Sequence, residues 1–137
     1  MRTKQPILLA EDNDVDSEAV RRAFKELKVT NPLIVAKNGE EALAHLRSPA
    51  NAKPCLILLD LKMPKMDGIE FLRVVKKDEL LKIFPVVVLT TSKEEQDKVE
   101  SFRLSVAGYM LKAVDYKQFV EVVKTINLYW TLSELPV

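Results

Sequence analysis

The chain has 137 residues, of which 47% are apolar and 30% charged, and a formal net charge of +1. That length fits one domain with one sizeable core, and the near-neutral balance gives no electrostatic footprint for nucleic acid or an anionic membrane. No apolar run approaches the roughly 18 residues of a membrane span, and none of signal length follows the charged N-terminus, so a soluble cytoplasmic protein is expected.

Pro6-Ile7-Leu8-Leu9-Ala10 reads as a buried strand, closed by Glu11-Asp12-Asn13-Asp14. Ala19, Ala23, Phe24 and Leu27 then recur at helical spacing, with Asn13 or Asp14 as the N-cap. After the Asn31-Pro32 turn, Leu33 to Ala36 forms a second strand, and Asn38-Gly39 leads into a helix from Glu40 to Leu46. His45 lies on that helix among charged neighbours and reads as a solvated residue. Ser48 to Pro54 is a loop. The run "CLILLD", Cys55 to Asp60, is a third strand with a carboxylate at its end, and Cys55 reads as a small buried hydrophobe. Met66-Asp67-Gly68 opens a helix whose apolar side carries Ile69, Leu72, Val74 and Val75. Pro85 to Leu89 is a fourth strand, ending in Thr90-Thr91-Ser92. Lys93 to Phe102 is a charged helix with Val99 and Phe102 turned inward, followed by Val106. Ala107 to Leu111 is a fifth strand ending in Lys112, and Asp115 to Leu132 is a long final helix.

Strands that are apolar throughout are buried on both faces, as in a parallel sheet covered by helices. Their alternation with helices gives one α/β domain, an open doubly wound sheet of five parallel strands. In such a sheet all C-terminal strand ends share one edge, where ligands bind. That edge collects Glu11 and Asp12, Asp60, Thr90 and Thr91, and Lys112, while the second strand, ending at Lys37-Asn38, offers nothing comparable. Carboxylates about 4–6 Å apart repel by several kcal/mol at an effective dielectric near 20, so such a cluster holds protons or a cation. All-oxygen ligands suit Mg²⁺. With a lysine and a hydroxyl opposite, the edge describes a phosphoryl pocket in which a carboxylate can act as nucleophile. Taken singly, each residue has a plainer reading: Asp12 or Asp14 as a helix cap, Asp60 as a turn cap, Lys112 as a solvated lysine. Joint placement on one edge separates the pocket from those readings. Asp14 and Asp16 keep the plain one.

The segments "ILLAEDN", "NGEEAL", "LILLDLKMPKMDG", "PVVVLTTS" and "GYMLK", in this order and spacing, resemble a response-regulator receiver domain of the kind typified by the bacterial chemotaxis regulator. The resemblance covers essentially residues 1–137 as a single domain without an output domain. It implies a flavodoxin-like, three-layer α/β/α fold with strand order 2-1-3-4-5. It further implies a two-component signalling phosphoprotein, not an enzyme acting on a separate substrate. Asp60 would accept the phosphoryl group, forming a phosphoaspartate. Asp12 and Asp60 would bind Mg²⁺ directly, Glu11 mainly through water and Lys62 through its backbone carbonyl, leaving its side chain free to vary. Thr90 and Lys112 would contact the phosphoryl group, and Thr90 with Tyr109 would form the switch. The donor would be a sensor histidine kinase, and output would be protein contact or onward phosphotransfer. Two positions depart from the family. Ala113 stands where proline is usual after the lysine, and Thr91 is larger than the residue usual there, which is expected to narrow donor access.

The residue after the lysine, the "SPANAKP" loop and the tail "INLYWTLSELP" are similar to cyanobacterial phytochrome response regulators, which pair with phytochrome-type or hybrid kinases. On the last helix, Phe119, Val122 and Ile126 can face the sheet. Tyr116, Val120, Tyr129 and Trp130 are then candidates for a homodimer or partner face with the fourth helix and fifth strand. Rival readings fare worse. A flavin carrier needs a hydroxyl- and glycine-rich loop where "EDNDVD" stands, a dinucleotide fold needs GxGxxG, and an aspartyl phosphatase needs an acid at position 62. A receiver fold acting as a never-phosphorylated binding module is the alternative that survives.

Overall fold

Continuous apolar runs form the strands, and helices with one apolar side cover them. The computed structural model describes residues 5–26 and 28–111. In chain order these are β1 (Ile7–Ala10), α1 (Asp14–Glu26), β2 (Leu33–Ala36), α2 (Gly39–Arg47), β3 (Leu56–Asp60), α3 (Gly68–Lys77), β4 (Val86–Thr90), α4 (Lys93–Ser101) and β5 (Gly108–Leu111). The strands make one parallel sheet in the order β2-β1-β3-β4-β5. Leu27, Lys112, Ala113 and the expected final helix, with Tyr116, Val120, Tyr129 and Trp130, lie outside the described residues.

Side chains alternate along each strand, so the sheet feeds two cores. One face carries Leu8, Ile57, Leu59, Val86 and Val88 against Leu43 and Leu46 of α2, Phe71, Leu72 and Val75 of α3, and Val99 of α4. The other carries Ile7, Leu9, Leu56, Leu58, Val87 and Leu89 against Val20, Ala23 and Phe24 of α1. Every residue of β1, β3 and β4 is buried, as the unbroken apolar runs require. Cys55 is buried beside them.

Polar side chains fix where helices begin. The Asn13 side chain accepts from the Asp16 amide at 3.0 Å, settling the choice of cap for α1. Asn38 accepts from the Glu41 amide at 2.9 Å at the start of α2. Asp67 and Glu70 form a reciprocal capping box on α3. Asp67→Ala should therefore lower stability by about 1 kcal/mol, read as a lower urea midpoint at unchanged slope.

Two expectations are corrected. Phe102 is 44% exposed, because it ends α4 and Arg103 turns the chain with φ of 55°. Its ring lies 5.2 Å from the Arg73 guanidinium instead of in the core, while Val99 and Val106 do pack inward. His45 is not fully solvated: it is half-buried, with Nδ1 3.2 Å from the Asn51 amide. The end of β2 makes surface contacts. Lys37 pairs with the exposed Asp14, and its amide donates to Glu41 at 3.0 Å.

Candidate functional site

Register builds the site. Ala10 pairs with Leu59 across β1 and β3, so the next residues, Glu11 and Asp60, leave adjacent strands at the same level. Asp60 pairs in turn with Leu89, one residue before Thr90 at the end of β4. Strand periodicity puts Glu11 and Asp60 on the α1 side of the sheet and Thr90 on the other.

One carboxylate oxygen from each of Glu11, Asp12 and Asp60 lies within 4.8 Å of the other two. Glu11 and Asp60 are only 1% and 6% exposed, whereas Asp12 opens to solvent. Glu11 also accepts from the Asn13 amide at 3.3 Å. Two carboxylates 4.8 Å apart repel by about 3.5 kcal/mol at an effective dielectric of 20. A hard divalent cation relieves this, and three oxygen donors with one open to water match the needs of Mg²⁺. Thr90 is 3% exposed at the end of the neighbouring strand, one residue beyond the partner of Asp60.

The opposite wall is the turn after β3. Asp12, Leu61, Lys62, Met63, Pro64, Asp67, Ile69, Glu95 and Lys98 line an open depression of about 580 Å³. The turn passes close under α3: the Gly68 amide donates to the Leu61 carbonyl at 3.0 Å. Lys65 holds φ of 64°, a left-handed backbone usually given to glycine. The Lys62 side chain is largely exposed, and its ammonium lies 3.7 Å from Glu95. Tyr109 on β5 is half-buried against the α2–α4 core. Burial, then the Glu100 carboxylate, pushes its phenol above the usual range.

Glu95 was not foreseen. Its Oε1 accepts from the Thr91 amide at 2.7 Å and the Thr91 hydroxyl at 2.9 Å. The Ser92-x-x-Glu95 spacing is a capping-box signature and could have flagged it. Ser92 indeed caps α4, accepting from the Glu95 amide at 3.3 Å, but the Glu95 carboxylate reaches Thr91 instead of closing the box.

A doubly wound sheet whose ligand edge carries an acidic cation site in place of a phosphate-binding loop defines a class of cation-dependent α/β phosphoacceptors. Within it, the response regulator receiver domain family matches residues 7–124, and the chain belongs to that family. It is 39% identical to response regulator Rcp1 of Synechocystis sp. over 128 residues, covering 90% of this chain and 87% of Rcp1. Its structure resembles the phosphorylated cyanobacterial phytochrome response regulator RcpA with a TM-score of 0.85 at 37% identity, covering 96% of this chain and 97% of RcpA. It also resembles the Mn²⁺-bound form of Rcp1, with a TM-score of 0.82 at 37% identity and coverage of 97% and 98%.

Proposed function

We propose that this receiver domain accepts a phosphoryl group on Asp60 from a sensor histidine kinase in a Mg²⁺-dependent reaction. The observation that carries the reading is the convergence of Glu11, Asp12 and Asp60 beside Thr90 on one sheet edge. An Asp60 carboxylate oxygen attacks phosphorus, the donor departs, and an acyl phosphate remains. Mg²⁺, held by Asp12, Asp60, the Lys62 carbonyl and, through water, Glu11, would neutralise charge on the phosphoryl oxygens. Thr90 donates its hydroxyl to those oxygens, Lys112 supplies a positive charge, and Tyr109 follows Thr90 inward.

The likeness to phytochrome regulators supports a phytochrome-type or hybrid kinase as partner, in the cytoplasm. Output runs through protein contact, homodimerisation included, or onward phosphotransfer. Incubation with Mg²⁺ and acetyl phosphate, followed by intact-mass measurement, tests the reading. One phosphoryl group per chain is expected, and EDTA should abolish it; no uptake would leave the domain a constitutive binding module. Asp12→Asn should weaken Mg²⁺ binding about 10-fold or more by calorimetric titration, because it removes one charged ligand.

A further inference from the structure

Glu95 joins two loops that flank Asp60. Its Oε1 takes both hydrogen bonds of Thr91, the residue directly after Thr90. Its other oxygen faces the ammonium of Lys62, two residues after Asp60. Glu95 is 15% exposed at the side chain, against 78% for Lys62, so the carboxylate is seated between the loops while the lysine reaches it from the solvent side. Glu95, Lys62 and Asp12 line the same depression, so the bridge crosses the approach to the acidic cluster.

We propose that Glu95 is a latch on the phosphoacceptor pocket, holding the Thr90–Thr91 segment and the Lys62 turn in the resting arrangement. The proposal rests on Asp60 being the phosphoacceptor. For Thr90 to swing toward a phosphoryl group, the Thr91 amide and hydroxyl must shift with it. Both are held by one carboxylate, in charge-assisted bonds that are roughly twice as strong as neutral ones. Contacts made only in the resting arrangement oppose conversion by their own free energy. Glu95 is therefore a positioning residue: it touches neither the acidic cluster nor the reacting atoms, and acts through Thr91 and Lys62. It also gives the bulk of Thr91 a fixed direction, since a hydroxyl bonded to Glu95 cannot rotate freely.

The test compares wild type, Glu95→Ala, Glu95→Gln and Thr91→Val for phosphoryl uptake from acetyl phosphate with Mg²⁺, and for affinity toward beryllofluoride. Glu95→Ala should take up phosphoryl about 10-fold faster and bind beryllofluoride more tightly. Glu95→Gln keeps an acceptor for both Thr91 donors but loses the charge assistance and the Lys62 pair, so it should fall between wild type and Glu95→Ala, about 3-fold faster than wild type. Thr91→Val keeps the shape and the amide bond but loses the hydroxyl bond, and should be about 3-fold faster. Exchange of the Thr91 amide hydrogen should quicken in Glu95→Ala and be partly restored in Glu95→Gln, a signature that general loss of stability would not give. If wild type takes up phosphoryl and Glu95→Ala matches it, the latch is wrong while the phosphoacceptor reading stands. If Glu95→Gln is as fast as Glu95→Ala, removal of rim charge explains the effect and the latch is overturned. Absence of uptake by wild type would instead sink the phosphoacceptor reading, and the latch with it.

Discussion

Asp60→Asn should abolish stable phosphoryl uptake from acetyl phosphate and remove the Mg²⁺-dependent response to beryllofluoride, while leaving the fold intact. The side chain lies at the end of a strand buried along its length, at the level of Glu11 on the next strand. Asparagine fits the same space but offers a poor nucleophile and one anionic ligand fewer. The substitution should also stabilise the metal-free protein. Three acids with oxygens within 4.8 Å repel one another, and neutralising the central one relieves two of the three repulsions. A gain of about 1 kcal/mol in EDTA is expected, shrinking when Mg²⁺ is added, because wild type gains stability from the ion by mass action and the variant gains less. Urea unfolding with and without Mg²⁺ measures both effects. An Asp60→Asn protein that still carries one phosphoryl group would move the acceptor to Asp12 or Glu11. A variant less stable than wild type in EDTA would show that Asp60 is held by more attraction than repulsion.

Much of the site was legible because strands impose strict rules. An apolar run that stops at a carboxylate fixes where the strand ends, and parallel order then puts Glu11, Asp60 and Thr90 on one edge. The register that aligns Glu11 with Asp60 was not legible in the runs themselves, because residues apolar on both faces tolerate a one-residue slip. Helices were less legible. Val20 and Phe71 belong to the cores yet escape a reading by spacing alone, since neighbours such as Ala19 and Val74 fit a helical period nearly as well. Phe102 was misplaced because periodicity does not say where a helix stops, and the left-handed turn at Arg103 stops it there. The Lys62–Glu95 bridge was invisible for a different reason. It joins two long, exposed-type side chains, one from the turn after β3 and one from the first turn of α4, and nothing in either local sequence specifies the partner. Such pairs are set by how close the backbone brings the two segments, which only the assembled sheet determines.

Gly68→Ala should lower stability by about 1–2 kcal/mol and weaken the site as well. A Cβ at position 68 would lie 2.5 Å from the Asp60 carbonyl oxygen, 2.8 Å from the Leu61 Cα and 3.0 Å from Leu61 Cδ2. Two of those atoms are backbone, so no side-chain rotation relieves the contact. Overpacking of this kind costs about 1–3 kcal/mol, and the better helix propensity of alanine offsets part of it, by at most about 1 kcal/mol. The hydrogen bond from the Gly68 amide to the Leu61 carbonyl resists separation of the two segments. The strain therefore falls on the peptide that follows Asp60, and the carboxylate moves with it. Leu46→Ala supplies the comparison. Leu46 is fully buried in the last turn of α2 and has no part in the acidic cluster. Its truncation should cost a similar or larger amount, about 2–5 kcal/mol. At a temperature where both variants remain folded, Leu46→Ala should bind beryllofluoride with Mg²⁺ as wild type does, and Gly68→Ala about 10-fold more weakly. Equal affinity in the two variants would mean that the turn absorbs the methyl without disturbing Asp60. The close approach of α3 to the strand end would then serve packing alone.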